Sequence, residues 1–377
     1  MLAGLVAVVA ATALYTNTET VAAVEERDGA LWVTTTGGVE RYDLTTLTRT
    51  AVTVGAPPAA AALAVAPRYQ GARETTRVVT SIGTVVGTAG SGVWLDGPSP
   101  RRLTPTGQIC GNHVVAMAEW NGRPWVATFD RGVCWLDGDR WVQPTTSFRM
   151  ANDLAVTPKG LVVAASEGLF VSTDGVAFAR WKGIVDTGWN DLALVGDDLY
   201  ATMPGAMWRL PVGKRGRRAI TRWKPGGSKA LQAVVGDGRS LWVTSEDRGV
   251  LDVTKRAVAI HDRLAGLPTS WHIDVALIGG QPWVATLRHG LVRRAPDGTW
   301  STVAGLGSPW LLFVGADATG TGAWVGAQGG AYHVGADGAV RDLSAHLPEP
   351  NVHVIAELGG AVWIGTEGGL VRLPAGA

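Results

Sequence analysis

Residues 31–35 read LWVTT, and segments of this type recur along the whole chain. The others are TVVGT from Thr84, PWVAT from Pro124, LVVAA from Leu161, LYATM from Leu199, LWVTS from Leu241, PWVAT from Pro282, AWVGA from Ala323 and VWIGT from Val362. The second residue of each segment, here called the anchor, lies 37–53 residues from the next anchor, and a glycine followed by an apolar residue comes soon after each. Self-similarity at this period predicts a repeat architecture of nine units.

Each unit has the pattern of four short antiparallel strands. An apolar run such as VHVIAEL from Val352 is the predicted first strand, the anchor segment is the second, and the glycine opens the third. Asp-Gly, which favours a type I′ hairpin turn, ends several third strands, at Asp96, Asp137, Asp174, Asp297 and Asp337. The fold class predicted is therefore all-β, a β-propeller of nine four-stranded antiparallel blades in one closed ring with almost no helix. Eight blades is the alternative, because a long irregular insertion follows Pro57.

Composition limits the classes of partner. The chain has 377 residues, is 46% hydrophobic, and carries 33 basic against 32 acidic residues, so no general field attracts nucleic acid. The densest basic run, residues 214–218, is expected to be a solvated hairpin tip. The tryptophans at anchors such as Trp125 and Trp363 are expected to pack between sheets, because a large flat ring fills the wedge between neighbouring blades.

The N-terminus allows two interpretations. The apolar run of residues 1–14 is shorter than a bilayer-spanning helix, and Ala11, Thr12 and Ala13 resemble a cleavage site, so residues 1–19 are predicted to be a secretory leader. Alternatively residues 5–14 form a strand that completes the last blade, which ends soon after its third strand at Leu373. Residues 20–377 are expected to form a single propeller domain in an extracytoplasmic compartment.

Two stretches resemble a known repeat family. HDRLAGLPTSWHIDVALIGGQPWVATLRHGLVRR from His261 and DLSAHLPEPNVHVIAELGGAVWIGTEGGLVRL from Asp342 resemble the two-component regulator propeller repeat, and the resemblance extends from about Thr20 to Leu373. It implies an extracytoplasmic sensor propeller. The sequence ends four residues after Leu373 without the membrane segment and signalling module usual in that family, so we expect any signal to pass to a separate partner protein.

The sequence lacks the signatures of common catalytic and cofactor sites. No phosphate-binding loop, dinucleotide fingerprint, nucleophile elbow or zinc-protease helix occurs, so no cofactor is expected and a metal is left open. The two cysteines, Cys110 and Cys134, belong to one repeat and could form a disulfide or stay as buried thiols. Strands one and three of a blade are not neighbours, so the Cα distance decides between these outcomes.

The candidate site is positional. First strands of successive blades should line a central channel, and polar residues cluster where the chain enters these strands and in the turns after the anchors. We call this set the mouth residues: Asn112, His113, Asp130, Arg131, Asn152, Asp153, Asn190, Asp191, Glu246, Asp247, Arg248, His272, Asp274, Arg288, His289, Asn351, His353 and Glu367. Together they predict a polar pocket at one channel mouth, although any single one could simply satisfy local backbone groups.

Three functions fit this pattern. The leading hypothesis is a non-enzymatic, monomeric exported propeller, sensor-like or scaffolding, that binds a small ligand or a protein partner at the channel mouth. The alternative is a lyase or hydrolase that uses a mouth histidine such as His113, His272 or His353 as general base, with carboxylates holding a metal or a developing charge. An envelope scaffold that uses its outer strands is the third. Neither nucleic acid nor a membrane, apart from a retained leader, is an expected partner.

Overall fold

The computed structural model describes residues 13–53, 68–185, 187–213, 220–347 and 349–374. This part of the chain is built almost wholly from β-strands, which form nine antiparallel sheets numbered 1 to 9 in chain order. Its only helices are three single 3-10 turns, Pro225–Gly227, Arg263–Ala265 and Ser344–His346. Among these residues no helix has the length and apolar character needed to cross a membrane.

Strand bounds follow the repeat closely. The strands of sheets 1 to 3 are Val21–Arg27, Ala30–Thr35, Gly38–Asp43, Arg49–Thr53; Arg68–Tyr69, Ala72–Thr80, Gly83–Ala89, Val93–Leu95, Arg101–Arg102; Val114–Trp120, Arg123–Thr128, Gly132–Asp137, Arg140–Val142. Those of sheets 4 to 6 are Ala151–Thr157, Gly160–Ala165, Gly168–Ser172, Ala179–Arg180; Leu192–Val195, Asp198–Met203, Ala206–Pro211, Thr221–Trp223; Leu231–Gly236, Ser240–Ser245, Val250–Thr254, Val258–His261. Those of sheets 7 to 9 are His272–Ile278, Gln281–Thr286, Gly290–Arg294, Trp300–Thr302; Leu311–Ala316, Ala323–Ala327, Gly330–Val334, Val340–Asp342; Val352–Leu358, Ala361–Thr366, Leu370–Pro374, Ala13–Tyr15.

The predicted fold class is confirmed in its nine sheets, their antiparallel pairing and the order of strands within them. Eight sheets have four strands, and sheet 2 gains a fifth because Arg68–Tyr69 pairs beside its long first strand. The predictions for residues 5–12, for the insertion from Pro57 up to residue 67 and for the basic run of residues 214–218 concern residues outside the described part of the chain.

The turn after the anchor strand explains why the repeat keeps a threonine and a glycine. In sheet 7 the Thr286 hydroxyl donates to the Gly290 carbonyl at 2.7 Å and accepts from the His289 amide at 3.0 Å. Gly290 has a φ of 72°, in the region where a side chain is strained. The same hydroxyl-to-glycine bond recurs at Thr88, Thr128 and Thr366. The recurring motif is thus a hydrogen-bonded turn.

The anchor tryptophans are part of the core, as the sequence predicts. Trp125, Trp324 and Trp363 expose only 2–3% of their surface. In sheet 9 the anchor Trp363 pairs with Arg372 of the neighbouring third strand. The guanidinium of Arg372 lies over the indole ring, 5.5 Å from its centroid. The Trp363 ring thereby buries apolar area between sheets and keeps a favourable cation–π contact with Arg372.

Sheets 3 to 9 close a ring of seven, which corrects the expectation that all nine sheets share one ring. Val352 of sheet 9 packs against Gly326 of sheet 8, and Val114 of sheet 3 packs against Gly365 of sheet 9 in the same way. The hairpin contacts repeat too, because Glu357 accepts from Ala318 at 3.0 Å and Glu119 accepts from Gly359 at 3.2 Å. Sheet 9 therefore has sheet 3, and not sheet 1, as its next neighbour.

The ring is closed by the N-terminal strand Ala13–Tyr15, which is the fourth strand of sheet 9. Ala13 pairs with Arg372 and Tyr15 with Leu370. Asn17 follows this strand and exchanges two hydrogen bonds with Asn112, of 2.6 and 2.9 Å. These bonds fix the N-terminal segment to the entry of sheet 3. The alternative of a blade-closing strand is thus realised at residues 13–15. The predicted leader of residues 1–19 would include this strand, so its cleavage is incompatible with this ring closure.

Sheets 1 and 2 form a separate two-sheet unit between the closing strand and the ring. Its core joins Val21, Tyr42 and Val85, and it includes the fully buried carboxylate of Glu40. Glu40 is compensated by Arg49 at 2.8 Å and by the hydroxyls of Tyr42 and Thr18, both at 2.8 Å. Paired in this way, the buried charge avoids the cost of an isolated one.

One salt-bridge network connects the two-sheet unit to the ring. Glu19 accepts from Arg102 of sheet 2 at 2.6 Å and from Arg131 of sheet 3 at 3.1 Å. Arg131 also donates to the Thr20 hydroxyl at 2.8 Å. These side chains are only 20–26% exposed, so the network is partly shielded from solvent.

Cys110 and Cys134 are joined in a disulfide with a Cα–Cα distance of 5.9 Å. Cys110 lies ahead of the first strand of sheet 3, in the segment that passes beside the third strand, and both residues are buried. The distance between strands one and three does not prevent the bridge, because Cys110 lies in this lead-in segment and not in strand one. Of the two outcomes left open by the sequence, the bridge is realised.

Candidate functional site

The first strands of the seven ring sheets surround a cavity of about 580 Å³ at the mouth of the central channel. Every ring sheet contributes to its wall, and sheets 1 and 2 do not. Six mouth residues line it: Asn152, Asp153, Asn190, Asp191, Asp274 and His353. The predicted convergence of polar side chains from different blades is therefore present around the channel, although these six residues come from four of the seven ring sheets.

Asparagine–aspartate pairs at the start of sheets 4 and 5 connect each sheet to the next. The Asn152 amide donates to the Trp189 carbonyl at 2.7 Å, and Asp153 accepts from the Leu192 amide at 2.8 Å. Asn190 and Asp191 make the equivalent bonds to sheet 6, 2.7 Å to the Leu231 carbonyl and 2.6 Å from the Val234 amide. The first strand of sheet 4 has a register shift between Ala151 and Asp153, and that of sheet 6 has one between Leu231 and Val234, which frees backbone groups for these bonds.

Three carboxyl groups are gathered in the channel with raised pKa values. Burial, with a further contribution from the charge of Asp191, raises the pKa of Asp274 to about 7. Burial raises the pKa of Asp153 to about 6, and burial together with the neighbouring Asp153 raises that of Asp191 well above its usual value. The titrations of Asp153 and Asp191 influence each other, so Asp191 keeps its proton at a pH where an ordinary aspartic acid has lost it.

His113, His353 and Glu367 meet at the rim of the cavity, between sheets 3 and 9. The ring centroids of the two histidines are 4.6 Å apart, and His353 Nε2 lies 3.1 Å from Glu367 Oε1. One ligand atom from each residue lies within 4.8 Å of the other two, an arrangement suited to a metal ion. Burial, and then the neighbouring His353, lowers the pKa of His113 to about 4, so its imidazole is neutral at pH 7.

His272 does not belong to the cavity. Its side chain is fully buried at the place where sheets 8 and 9 have Leu311 and Val352, and its paired residue is Thr286. Burial lowers the pKa of His272 to about 4, an effect that the Ser270 backbone partly offsets. It therefore occupies a core position and is not available as a general base at the mouth.

The remaining mouth residues make local contacts in turns. Arg131 belongs to the network with Glu19, and Asn112 is bonded to Asn17. Contacts of the others are Asp130 with the backbone at Gly111, Glu246 with Gln232, Asp247 with Ser228 and Lys229, Arg248 and His289 through backbone amides, Arg288 over the Trp310 ring, and Asn351 with Glu349 and Glu367. These residues shape the mouth without facing its cavity.

Sequence reasoning missed several cavity residues. Gln232 occupies in sheet 6 the place of Asn152 and Asn190, and Phe129, Phe313 and Ser166 complete the wall. The alignment of first strands could have identified Gln232, because it follows the first residue of its strand as Asn152 does. Phe129 and Phe313 gave no polar signal, and they make part of the wall apolar.

A second cavity, of about 660 Å³, lies on the opposite face of the ring between sheets 5 and 6. It is lined by hairpin residues that include Asp197, Arg239 and Lys255. It gathers side chains from two sheets only, in contrast to the channel mouth.

Comparison with known proteins defines the architecture. No protein-family model and no curated protein matches the sequence. Among solved structures, the chain is similar to a domain described as the extracellular part of the hybrid two-component system BT3049 of B. thetaiotaomicron, with a TM-score of 0.64, 12% identity, and coverage of 94% of this chain and 51% of that one. The chain thus spans about half the length of that structure.

Two other similar structures are bacterial. PorZ, described as a surface component of the type-IX secretion system of Porphyromonas gingivalis, matches with a TM-score of 0.61, 16% identity, and coverage of 92% of this chain and 56% of PorZ. Virginiamycin B lyase of Staphylococcus aureus matches with a TM-score of 0.56, 13% identity, and coverage of 70% of this chain and 95% of the lyase. At such identities the likeness shows the propeller fold alone.

Proposed function

We propose that this chain is an extracytoplasmic, sensor-type propeller that binds a small polar ligand in the mouth of its central channel. The observation that carries the proposal is the cavity of about 580 Å³, in which residues of seven sheets converge. Its size lies within the range of about 300–1,000 Å³ typical of small-molecule sites. Amide and carboxyl groups beside two phenylalanines offer both hydrogen bonds and apolar contact.

Two observations support the extracytoplasmic location. The disulfide between Cys110 and Cys134 requires an oxidising compartment to form and persist. The similar structures from B. thetaiotaomicron and P. gingivalis are described as an extracellular domain and a surface component. A sensor of this kind would pass its signal to a partner protein, and the ligand-bound channel rim is where the shape of the surface would change.

The test compares the two faces of the ring. Purified protein would be screened against a panel of polar metabolites by thermal shift, and hits would be measured by calorimetry. Gln232→Ala removes a side chain of the cavity wall, whereas Lys255→Ala alters the cavity on the opposite face. We expect only Gln232→Ala to weaken ligand binding, by about 10-fold for a lost hydrogen bond. Loss of binding in Lys255→Ala alone would reject the channel site.

A lyase or hydrolase remains the second candidate, because His353 contacts a carboxylate at the cavity rim. A histidine held by a carboxylate is the usual arrangement of a general base. The similar lyase structures are named for streptogramin B and virginiamycin B, which makes these compounds the first substrates to test. Mass spectrometry of a streptogramin B incubated with wild-type protein and with His353→Ala would detect turnover that depends on this histidine.

A further inference from the structure

We propose that His113, His353 and Glu367 form a binding site for a transition-metal ion of the Zn²⁺ class. The three side chains come from two sheets that are far apart in sequence and adjacent only because sheet 9 closes onto sheet 3. One ligand atom of each lies within 4.8 Å of the other two. The metal site stands without the channel ligand, but the class of ligand it recognises rests on the proposed function.

One of the three ligand separations is already close to what a bound ion requires, and the limit of 4.8 Å on the others leaves them to close by side-chain adjustment. Ligands at about 2.0–2.1 Å from zinc and at tetrahedral angles are about 3.4 Å apart. His353 Nε2 and Glu367 Oε1, at 3.1 Å, already have nearly this separation. The Glu367 side chain is 44% exposed and can adjust by the small remaining shift. No rearrangement of the sheets is needed to complete the site.

A second observation concerns His113. Its Nε2 atom is buried and makes no hydrogen bond among the described residues. A buried polar atom without a partner is unfavourable, and a simple histidine–glutamate pair between His353 and Glu367 leaves it unexplained. An ion placed among the three side chains would give Nε2 of His113 a partner.

The surroundings of the cluster resemble those of a metal site. The Asn351 amide donates to Glu367 Oε2 at 3.3 Å, which orients the carboxylate and leaves Oε1 toward the histidines. The ring of Phe129 lies 5.4 Å from that of His113 and provides an apolar wall on that side. Such outer contacts orient ligands and limit solvent in metal sites.

The donor set selects the ion and the ligand class. Two imidazoles and one carboxylate favour zinc and related transition metals, whereas magnesium and calcium prefer oxygen donors. Three protein ligands leave a fourth position open, as in catalytic zinc sites. Because His353 lines the cavity, that position would face the channel and would bind an anionic oxygen donor such as a carboxylate.

The inference is tested by calorimetry of chelator-treated protein with ZnCl₂ and, separately, MgCl₂. We expect one saturable Zn²⁺ site and no saturable Mg²⁺ binding. His113→Ala and His353→Ala should each weaken Zn²⁺ binding by about 100-fold or more, since loss of a ligand exceeds the 10–100-fold effect of an outer contact. His289→Ala is the matched control and should bind Zn²⁺ as wild type does. His289 lies in the turn of sheet 7 that corresponds to the Glu367 turn of sheet 9. Circular dichroism would confirm that each variant is folded.

A Co²⁺ titration gives an independent reading if one alanine variant fails to fold. Glu367→Gln retains the size of the side chain, and it should alter the visible absorption of bound Co²⁺ that reports the ligand set. Absence of saturable Zn²⁺ binding, or equal Zn²⁺ affinity in wild type and His113→Ala, would overturn the inference. The channel proposal is tested independently of the metal site. Gln232→Ala changes the wall of the cavity without touching the metal cluster, so it should weaken ligand binding and leave Zn²⁺ affinity unchanged.

Discussion

The phenol ring of Tyr15 stacks on the indole ring of Trp363, with centroids 5.8 Å apart and ring planes 16° apart. The same phenol meets Trp141 of sheet 3 edge-on at 5.4 Å. One residue of the closing strand therefore contacts both sheets that meet at the end of the ring. Closure depends on this aromatic contact in addition to the backbone bonds of a three-residue strand.

Tyr15→Ala should lower the free energy of unfolding by about 3 kcal/mol, because it removes a large ring packed between two sheets. Urea unfolding followed by tryptophan fluorescence measures the change. Leu14→Ala is the matched control, since Leu14 is in the same strand and is 45% exposed. Equal losses in the two variants would show that the strand acts through its backbone alone.

The disulfide should stabilise the entry of sheet 3. Replacing Cys110 and Cys134 together with serine should cost about 2–4 kcal/mol, because the unfolded chain regains the freedom of a closed loop. Urea unfolding of the double variant and of wild type, each with and without reductant, gives the value. Reductant should destabilise only the wild type, and titration of two free thiols in unreduced native protein would contradict the bridge.

The channel carboxyl groups should make stability depend on pH. The folded pKa of Asp274 is about 7 against an ordinary value of 3.8, so between these values the folded state holds a proton that the unfolded state has lost. The contribution of Asp274 to the free energy of unfolding should then fall as pH rises from about 4 to about 7, by a few kcal/mol at most. Asp153 and Asp191 add to the same trend.

Asp274→Asn should flatten this profile, because an amide does not titrate. It should also be less stable than wild type at pH 4. The backbone amides of Val275 and Val314 each donate to one carboxyl oxygen of Asp274, and asparagine has only one such oxygen. Unfolding at several pH values measures both effects. Asp139→Asn, in an exposed hairpin, is the control, and a wild-type slope in Asp274→Asn would assign the pH dependence to other groups.

The repeat in the sequence predicted the number of sheets, their strand order and the buried anchors, because alternation and turn residues act within a single sheet. It could not predict which sheets close the ring. Closure depends on how sheet 9 meets its neighbour, and the motif of sheet 1, LWVTT, is as regular as that of any ring sheet. The long interval between Trp32 and Val85 was the one local sign that the first two units differ.

The candidate site was predicted in part for a similar reason. Asparagine and aspartate at the start of a first strand, as at Asn152 and Asp153, face the channel because the strand carries a register shift there. His272 has the same sequence neighbourhood as these residues but lies two positions ahead of Asp274, on the buried side of the shift. A shift of register exchanges the two faces of a strand, and polarity alone does not reveal it.

His272 provides the last prediction. It is fully buried where Leu311 and Val352 stand in the neighbouring sheets, and neither ring nitrogen makes a geometrically good hydrogen bond among the described residues. The folded pKa of His272 is about 4 against an ordinary 6.5, so below pH 6.5 the unfolded state takes up a proton that the folded state resists. Its contribution is therefore complete above pH 6.5 and is lost as pH falls toward 4.

His272→Leu should raise the free energy of unfolding by about 1–2 kcal/mol at pH 7, because an apolar side chain replaces a buried polar ring with unsatisfied nitrogens. The gain should be larger at pH 5, where protonation of the unfolded histidine no longer opposes folding. Ligand and Zn²⁺ binding should stay as in wild type, since this residue lies outside the cavity and the metal cluster. Urea unfolding at both pH values measures the gain, and a His272→Leu protein that is less stable than wild type at pH 5 would show that the imidazole makes a bond the core needs.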